Sequence, residues 1–238
     1  MKYILDTHCH TVASGHAYST IEECAARAAA KGLKLLAITD HAPEMPGTTA
    51  KGYFVNLKCL PRFIGGVEIL PGVELNITDY GGKVDLSDGI LKNLKVVIAS
   101  LHPNCIEPGT AAENTRAVIS AMENPRVNIL GHLCDPNFPV DIARIVKAAG
   151  QAGKVIEIND ESLNPYAYRY AGEEPFLEML RLCGEHGVSV VAASDAHMSN
   201  RVGDLSRAAG VIAKSAIPWE LVLNDSVEKL KKALKIGE

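Results

Sequence analysis

Seven short runs rich in Val, Ile and Leu recur along this chain: Tyr3–Leu5, Leu35–Thr39, Ile69–Val73, Val96–Ser100, Val127–Leu130, Val155–Ile158 and Val188–Ala193. Nearly continuous apolar runs of this length suit parallel strands buried on both faces. The stretches between them read as amphipathic helices. Thr20–Lys31 opens on a Ser19 or Thr20 cap, carries Glu22 and Glu23 in its first turn and stops at Gly32. Ala111–Met122, Val140–Ala149, Pro175–Glu185 and Asp204–Lys214 have the same character. Seven β-then-α units in 238 residues predict an α/β fold, with a parallel sheet closed or nearly closed into a TIM-like barrel. No linker-like segment divides the chain, so residues 1–238 read as a single domain. A doubly wound open sheet is the alternative, and would gather ligands at one switch point rather than around a ring of strand ends.

The strand ends carry the chemistry. Seven of the eight histidines follow the apolar runs: His8 and His10 with His16 close behind, His41, His102, His132 and His197. Glu74 and Asp195 stand at equivalent places. Histidine is the commonest metal-ligating side chain, and carboxylates complete such sites. The two-residue spacing of His8 and His10 puts both on one face of a strand and Cys9 on the other. Asp195 and His197 share that spacing. His16 follows Gly15 in a loop that can fold back over the strand end. Asp40 reads as a carboxylate that orients a ligating histidine, or as a helix cap. His186 lies at a helix C-terminus, where a cation interacts favourably with the dipole.

Seven histidines and two carboxylates are too many ligands for one metal and suit three, if Glu74 bridges a pair. Three divalent ions against Asp195 and Glu74 leave a site charge of about +4. Such a site favours a phosphate dianion and acidifies a bound water into a hydroxide nucleophile. The chain lacks a G-x-S-x-G elbow, a Walker A loop and a G-x-G-x-x-G turn. Its six cysteines are dispersed with no C-x-x-C pair, as expected of reduced thiols in a cytoplasmic protein. A net charge of −4 gives no pull toward nucleic acid or anionic membrane, and no apolar stretch reaches membrane-spanning length. Lys229 to Lys235 read as the solvated face of a terminal helix.

The segments Asp6-Thr7-His8-Cys9-His10-Thr11, Ile38-Thr39-Asp40-His41, Gly72-Val73-Glu74, the separate His102 and His132, and Ser194-Asp195-Ala196-His197 closely resemble the PHP (polymerase and histidinol phosphatase) family. Chain length and Asp40-His41-Ala42-Pro43 look most like its stand-alone YcdX-type phosphatases. The resemblance implies a distorted (β/α)7 barrel and three divalent metals, commonly zinc, with manganese or iron as alternatives. It also implies cleavage of phosphate monoesters. Carried over by position, His8, His10, Glu74 and Asp195 hold one metal. Glu74, His102 and His132 hold a second, and His16, His41 and His197 a third. The sixth strand end, around Glu157, supplies no family ligand, and Asn159 and Ser162 are left as pocket walls.

The expected partner is a small phosphorylated substrate. Arg201 is a candidate phosphate clamp, because guanidinium binds phosphate bidentately. Pro43–Leu57 and Tyr166–Tyr170 are the expected pocket walls, with Tyr53, Phe54, Tyr166, Tyr168 and Tyr170 as stacking groups. Three other readings stand beside this one. An amidohydrolase-type hydrolase or deaminase would carry a bridging Lys, which the Glu74 strand end lacks. A nuclease would want a basic aromatic groove. A metal-binding module without catalysis is the third.

Overall fold

The computed structural model describes residues 2–237. Its strands are β1 (Leu5–Asp6), β2 (Leu35–Ile38), β3 (Phe63–Ile64), β4 (Val67–Asn76), β5 (Val96–Ser100), β6 (Ile129–Leu130), β7 (Val155–Asn159) and β8 (Val190–Ala193). Seven of them run parallel in the order β1-β2-β4-β5-β6-β7-β8, and β3 pairs antiparallel with the start of β4. The helices α1 (Ile21–Ala30), α2 (Lys51–Asn56), α3 (Asp88–Leu91), α4 (Ala111–Met122), α5 (Ile142–Ala152), α6 (Glu174–His186), α7 (Ser206–Lys214) and α8 (Val227–Ala233) complete the chain. This is a nearly closed seven-stranded barrel with helices between its strands, as the alternation predicts.

The ring is distorted where β8 meets β1. These strands form no ladder with each other. Asn224 fills the seam, donating to Ala192 O at 2.8 Å and Leu5 O at 3.4 Å and accepting from Ala192 N at 2.8 Å. Higher up, His10 N reaches Ala196 O at 2.9 Å. A side-chain amide can pair with backbone on both flanks, so two edges that would otherwise be open are satisfied.

β4 is longer than its apolar run. Pro71 and Gly72 look like a break in sequence, yet the strand continues to Asn76. Residues 68–71 pair with β2 and residues 72–76 with β5, so the proline sits where the strand changes partner. Glu74 therefore lies inside a strand instead of following one.

Alternation divides the barrel interior into two levels. Leu70, Val96, Ile98, Ile129, Val155 and Val191 form an apolar lower level, which Leu230 and Leu234 close from below. Two to four residues further along the same strand faces come Glu74, Ser100, Glu157, Asn159 and Asp195, all buried. The terminal helix is thus more than a solvated face. Lys231 Nζ pairs with both Glu68 oxygens at 2.7 Å, and Lys229 Nζ donates to Val222 O at 2.7 Å. No helix among the described residues is long and apolar enough to cross a membrane.

Candidate metal centre and active-site cleft

The polar upper level is where the nine expected ligands meet. His8, His10, His41, Glu74, His102, His132 and Asp195 are buried, His197 is partly buried and His16 is exposed at the edge. Cys9 points outward and packs with Cys24, Ala25 and Ala28 beneath α1. His186 ends α6 and is followed by Gly187 in a left-handed cap.

Hydrogen bonds on the far side of four of the rings fix which nitrogen faces the centre. His8 Nδ1 donates to Glu157 Oε1 at 2.6 Å. His10 Nδ1 donates to Ser14 Oγ at 3.0 Å, His102 Nδ1 to Asn76 Oδ1 at 2.8 Å and His197 Nδ1 to Asp195 O at 3.0 Å. In the neutral ring each bond leaves an Nε2 lone pair aimed inward, the arrangement by which proteins orient metal-ligating histidines.

The inward atoms are buried without partners. His8 Nε2, His10 Nε2, His41 Nδ1, Glu74 Oε2 and Asp195 Oδ1 accept or donate no hydrogen bond. Orphaned polar atoms at this density are costly in a folded interior unless a ligand satisfies them. Their spacing fits metal ions. His8 Nε2 lies 3.3 Å from Glu74 Oε2 and 3.6 Å from Asp195 Oδ1, and His10 Nε2 lies 3.5 and 3.1 Å from the same two atoms. Ligands about 2.0 Å from a tetrahedral ion stand about 3.3 Å from one another. On the other Glu74 oxygen, His102 Nε2 and His132 Nε2 lie at 3.2 and 3.0 Å, and 3.3 Å from each other. That is a three-donor set. The rings of His16, His41 and His197 stand 4.9 to 5.9 Å apart by centroid. His41 Nδ1 also approaches Glu74 Oε2 at 2.8 Å. Both oxygens of Glu74 thus face separate donor groups.

The backbone is strained at two of these positions. His132 and Asp195 have φ of +25° and +53°, a region non-glycine residues rarely occupy. Their neighbours hold them there. His132 N donates to Glu157 Oε2 at 2.8 Å, and Asp195 Oδ2 accepts from Asn159 Nδ2 at 3.2 Å and from the Arg169 guanidinium. Gly131 is needed just before His132, because a Cβ there would lie 2.2 Å from Ser100 Oγ.

Charge and burial tune the cluster. Burial lowers His10, His41 and His102, and with neighbouring histidines it brings His16 to about 4 and His197 to about 3. These rings are neutral at neutral pH, the form that binds metal. His8 goes the other way. Burial opposes its charge, but Glu157 and Glu74 raise it to about 10. Burial would raise Glu74, and the surrounding histidines pull it well below the carboxylate range.

Asp40, expected beside a histidine, touches none directly. It accepts from Thr11 N at 2.6 Å, Ser14 Oγ at 2.7 Å and Tyr53 OH at 2.6 Å, reaching His10 only through Ser14. Asn159 and Ser162 are buried beneath the site and do not wall it, because Asn159 bonds Glu157 and Asp195 while Ser162 bonds Asn159. Phe54 lies in the core and Tyr53 is held by Asp40, so neither is a stacking wall. Two residues at the site were missed by sequence reasoning. Glu157 sits in the β7 run two residues after Val155, the alternation that marks an inward carboxylate. Arg169 sits in a loop with no periodic signal. A cleft of about 870 Å³ opens over the cluster, reaching His16, His41, His102, Asp195 and His197, with Arg169 and Arg201 on its wall. Arg201 also pairs with Glu161 and Asp204, each at 3.2 Å.

Known proteins share this chain and this architecture. A probable phosphatase of Thermoanaerobacter sp. (strain X514) is 50% identical over 236 residues, covering 99% of this chain and 96% of that one. A probable phosphatase of Acetivibrio thermocellus is 45% identical over 235 residues, with the same coverage. The crystal structure of histidinol phosphate phosphatase from Lactococcus lactis, complexed with zinc, L-histidinol and phosphate, has a TM-score of 0.69 at 18% identity, covering 91% of this chain and 95% of that one. PHP domain sequences match residues 6–161, which span six of the seven parallel strands and seven of the nine converging side chains. On that match and these relatives, the chain belongs to the PHP domain family.

Proposed function

We propose that this protein is a metal-dependent phosphatase of phosphate monoesters, working at a centre of three divalent ions. The observation that carries the reading is the set of buried donors gathered at ligand spacing on both oxygens of Glu74, those around Oε2 without a hydrogen-bond partner. His8, His10, Glu74 and Asp195 would hold one ion, Glu74, His102 and His132 a second, and His16, His41 and His197 the third. Zinc suits this nitrogen-rich donor set, and manganese or iron are alternatives. Such ions, when bound, supply positive charge to the phosphoryl oxygens and a water acidic enough to ionise near neutral pH.

The remaining work belongs to side chains of this chain. Glu157 holds His8 through its ring and His132 through its backbone, which keeps two ligand groups in register. Asp40 acts as a positioning residue, fixing Ser14 and through it His10. Arg169, buried against Asp195, lines the cleft where a guanidinium can bind phosphate oxygens in a planar fork, and the more exposed Arg201 is a second clamp. Glu157 adds a buried negative charge and Arg169 a positive one, so the net charge of about +4 expected for the loaded site persists. A dianionic phosphoryl group is drawn to it electrostatically.

The test is p-nitrophenyl phosphate hydrolysis by chelator-stripped and zinc-restored protein, with amide and lactone substrates in parallel. Restored protein should cleave the phosphate ester alone, and His8→Ala and His132→Ala should lose metal and activity together. Full activity in metal-free His8→Ala, or faster turnover of an amide or lactone, contradicts the reading.

A further inference from the structure

We infer that the cleft is built for a phosphomonoester whose organic part is a flat aromatic or heteroaromatic ring close to the phosphate, with Tyr168 as its stacking platform. The inference rests on the phosphatase reading and adds the substrate class.

Size comes first. About 870 Å³ is near the upper end for a small-molecule pocket, and a phosphoryl group fills a minor part of it. The polar lining is His16, His41, His102, His197, Asp195 and Arg169. The apolar lining is Tyr18, Met45, Pro46, Pro103, Tyr168 and Met198, of which Tyr18, Tyr168 and Met198 are strongly exposed. Groups able to read sugar hydroxyls are sparse there: Asn104 and the Glu161–Arg201 pair.

Exposure points the same way. Tyr18 is 75% exposed, Tyr168 68% and Met198 50%. Tyr166 and Tyr170 flank Tyr168 and are exposed too. Five of the eight large apolar side chains exposed among the described residues therefore border one opening or share its loop, a concentration that marks a binding site rather than scattered surface. Both tyrosines stand on anchored backbone. Tyr18 N donates to His197 O at 2.9 Å, Ala167 N to Asn164 O at 2.9 Å and Ala171 N to Ser162 O at 3.1 Å. The exposed side chains thus stand on hydrogen-bonded loops, which lowers the entropic cost of ordering them around a ligand.

Arg169 links the two halves of the ligand. Its guanidinium meets Asp195, and its Cζ lies 5.8 Å from the Tyr168 ring centroid. A phosphate on Arg169 therefore has the tyrosine ring beside it, so the organic ring follows the phosphate by a bond or two. Tyrosine faces and a methionine thioether favour a π-system over a saturated ring of equal size.

The matched pair is benzyl phosphate against cyclohexylmethyl phosphate, alike in carbon count and in having a primary alkoxide leaving group. Their phosphonate analogues serve for binding by calorimetry on the zinc-loaded protein. The benzyl ester should be favoured about tenfold in kcat/KM, mainly through KM, and benzylphosphonate should bind about tenfold tighter. Tyr168→Leu should cut both preferences below about threefold, with zinc content and melting temperature confirming an intact fold, and Tyr168→Phe should keep them. Equal treatment of the two rings by the native protein, or a preference surviving in Tyr168→Leu, overturns the inference. Tighter benzylphosphonate binding without turnover of either ester upholds it and instead sinks the phosphatase reading.

Discussion

His8 carries a conflict that metal resolves. Between Glu157 and Glu74 its ring is raised to about 10, so in metal-free protein it is protonated at pH 7.5. Coordination through Nε2 requires the neutral ring, and metal binding must expel that proton. Zinc titrations in buffers of different ionisation enthalpy should therefore show about one proton released from His8 near pH 7.5. No buffer dependence would contradict this placement. Glu157→Gln removes the charge that orients and polarises His8 and leaves one oxygen for three donors, His8 Nδ1, His132 N and Asn159 Nδ2. It should weaken metal binding by about 10- to 100-fold, measured by chelator competition. Unchanged affinity would leave Glu157 a purely structural carboxylate. Glu157 also shows the limit of reading single residues. Its strand position was visible, but its role depends on His8 and His132, which lie 149 and 25 positions away in sequence. Arg169 had no signal, because a loop arginine acquires its meaning only from the Asp195 it folds against.

At the level of elements, each barrel strand has two jobs. Its lower inward residues pack, and its upper ones present donors. The strand runs, α4 and the capped start of α1 were legible because periodicity and caps are local. The β3–β4 hairpin, the full length of β4 and the short helices α2 and α3 were not, because pairing across β4 outweighs the turn tendency of Pro71-Gly72. The loop after β1 depends on Gly15. Its φ is +78°, and a Cβ there would lie 2.1 Å from Gly47 O. Gly15→Ala should displace His16, lowering bound metal from the proposed three ions toward two without unfolding the barrel. Elemental analysis beside circular dichroism reads both, and three tightly held ions in this variant would remove His16 from the ligand set.

For the whole molecule, the buried titratable cluster makes stability depend on pH and metal together. His16 and His197, depressed to about 4 and 3, stay neutral in the fold while the unfolded chain gains protons below about 6.5. Stability from these groups is complete above about 6.5 and lost as pH falls toward 4 and 3. His8 is raised, so its contribution is complete below about 6.5 and lost as pH rises through 10. Metal-free protein should thus melt highest near pH 6.5 and lose Tm on both sides. Zinc-loaded protein should lack the decline between pH 7 and 9, because its His8 is already neutral, and should melt higher throughout. Identical pH profiles with and without zinc would contradict the linkage.

The proposed bridging role of Glu74 is the centre of this account, and anomalous diffraction at the zinc edge from crystals of zinc-loaded protein tests it most directly. The account predicts three peaks: one among His8, His10, Glu74 Oε2 and Asp195, one among Glu74 Oε1, His102 and His132, and one among His16, His41 and His197. A single peak, or two peaks neither of which touches Glu74, would contradict it.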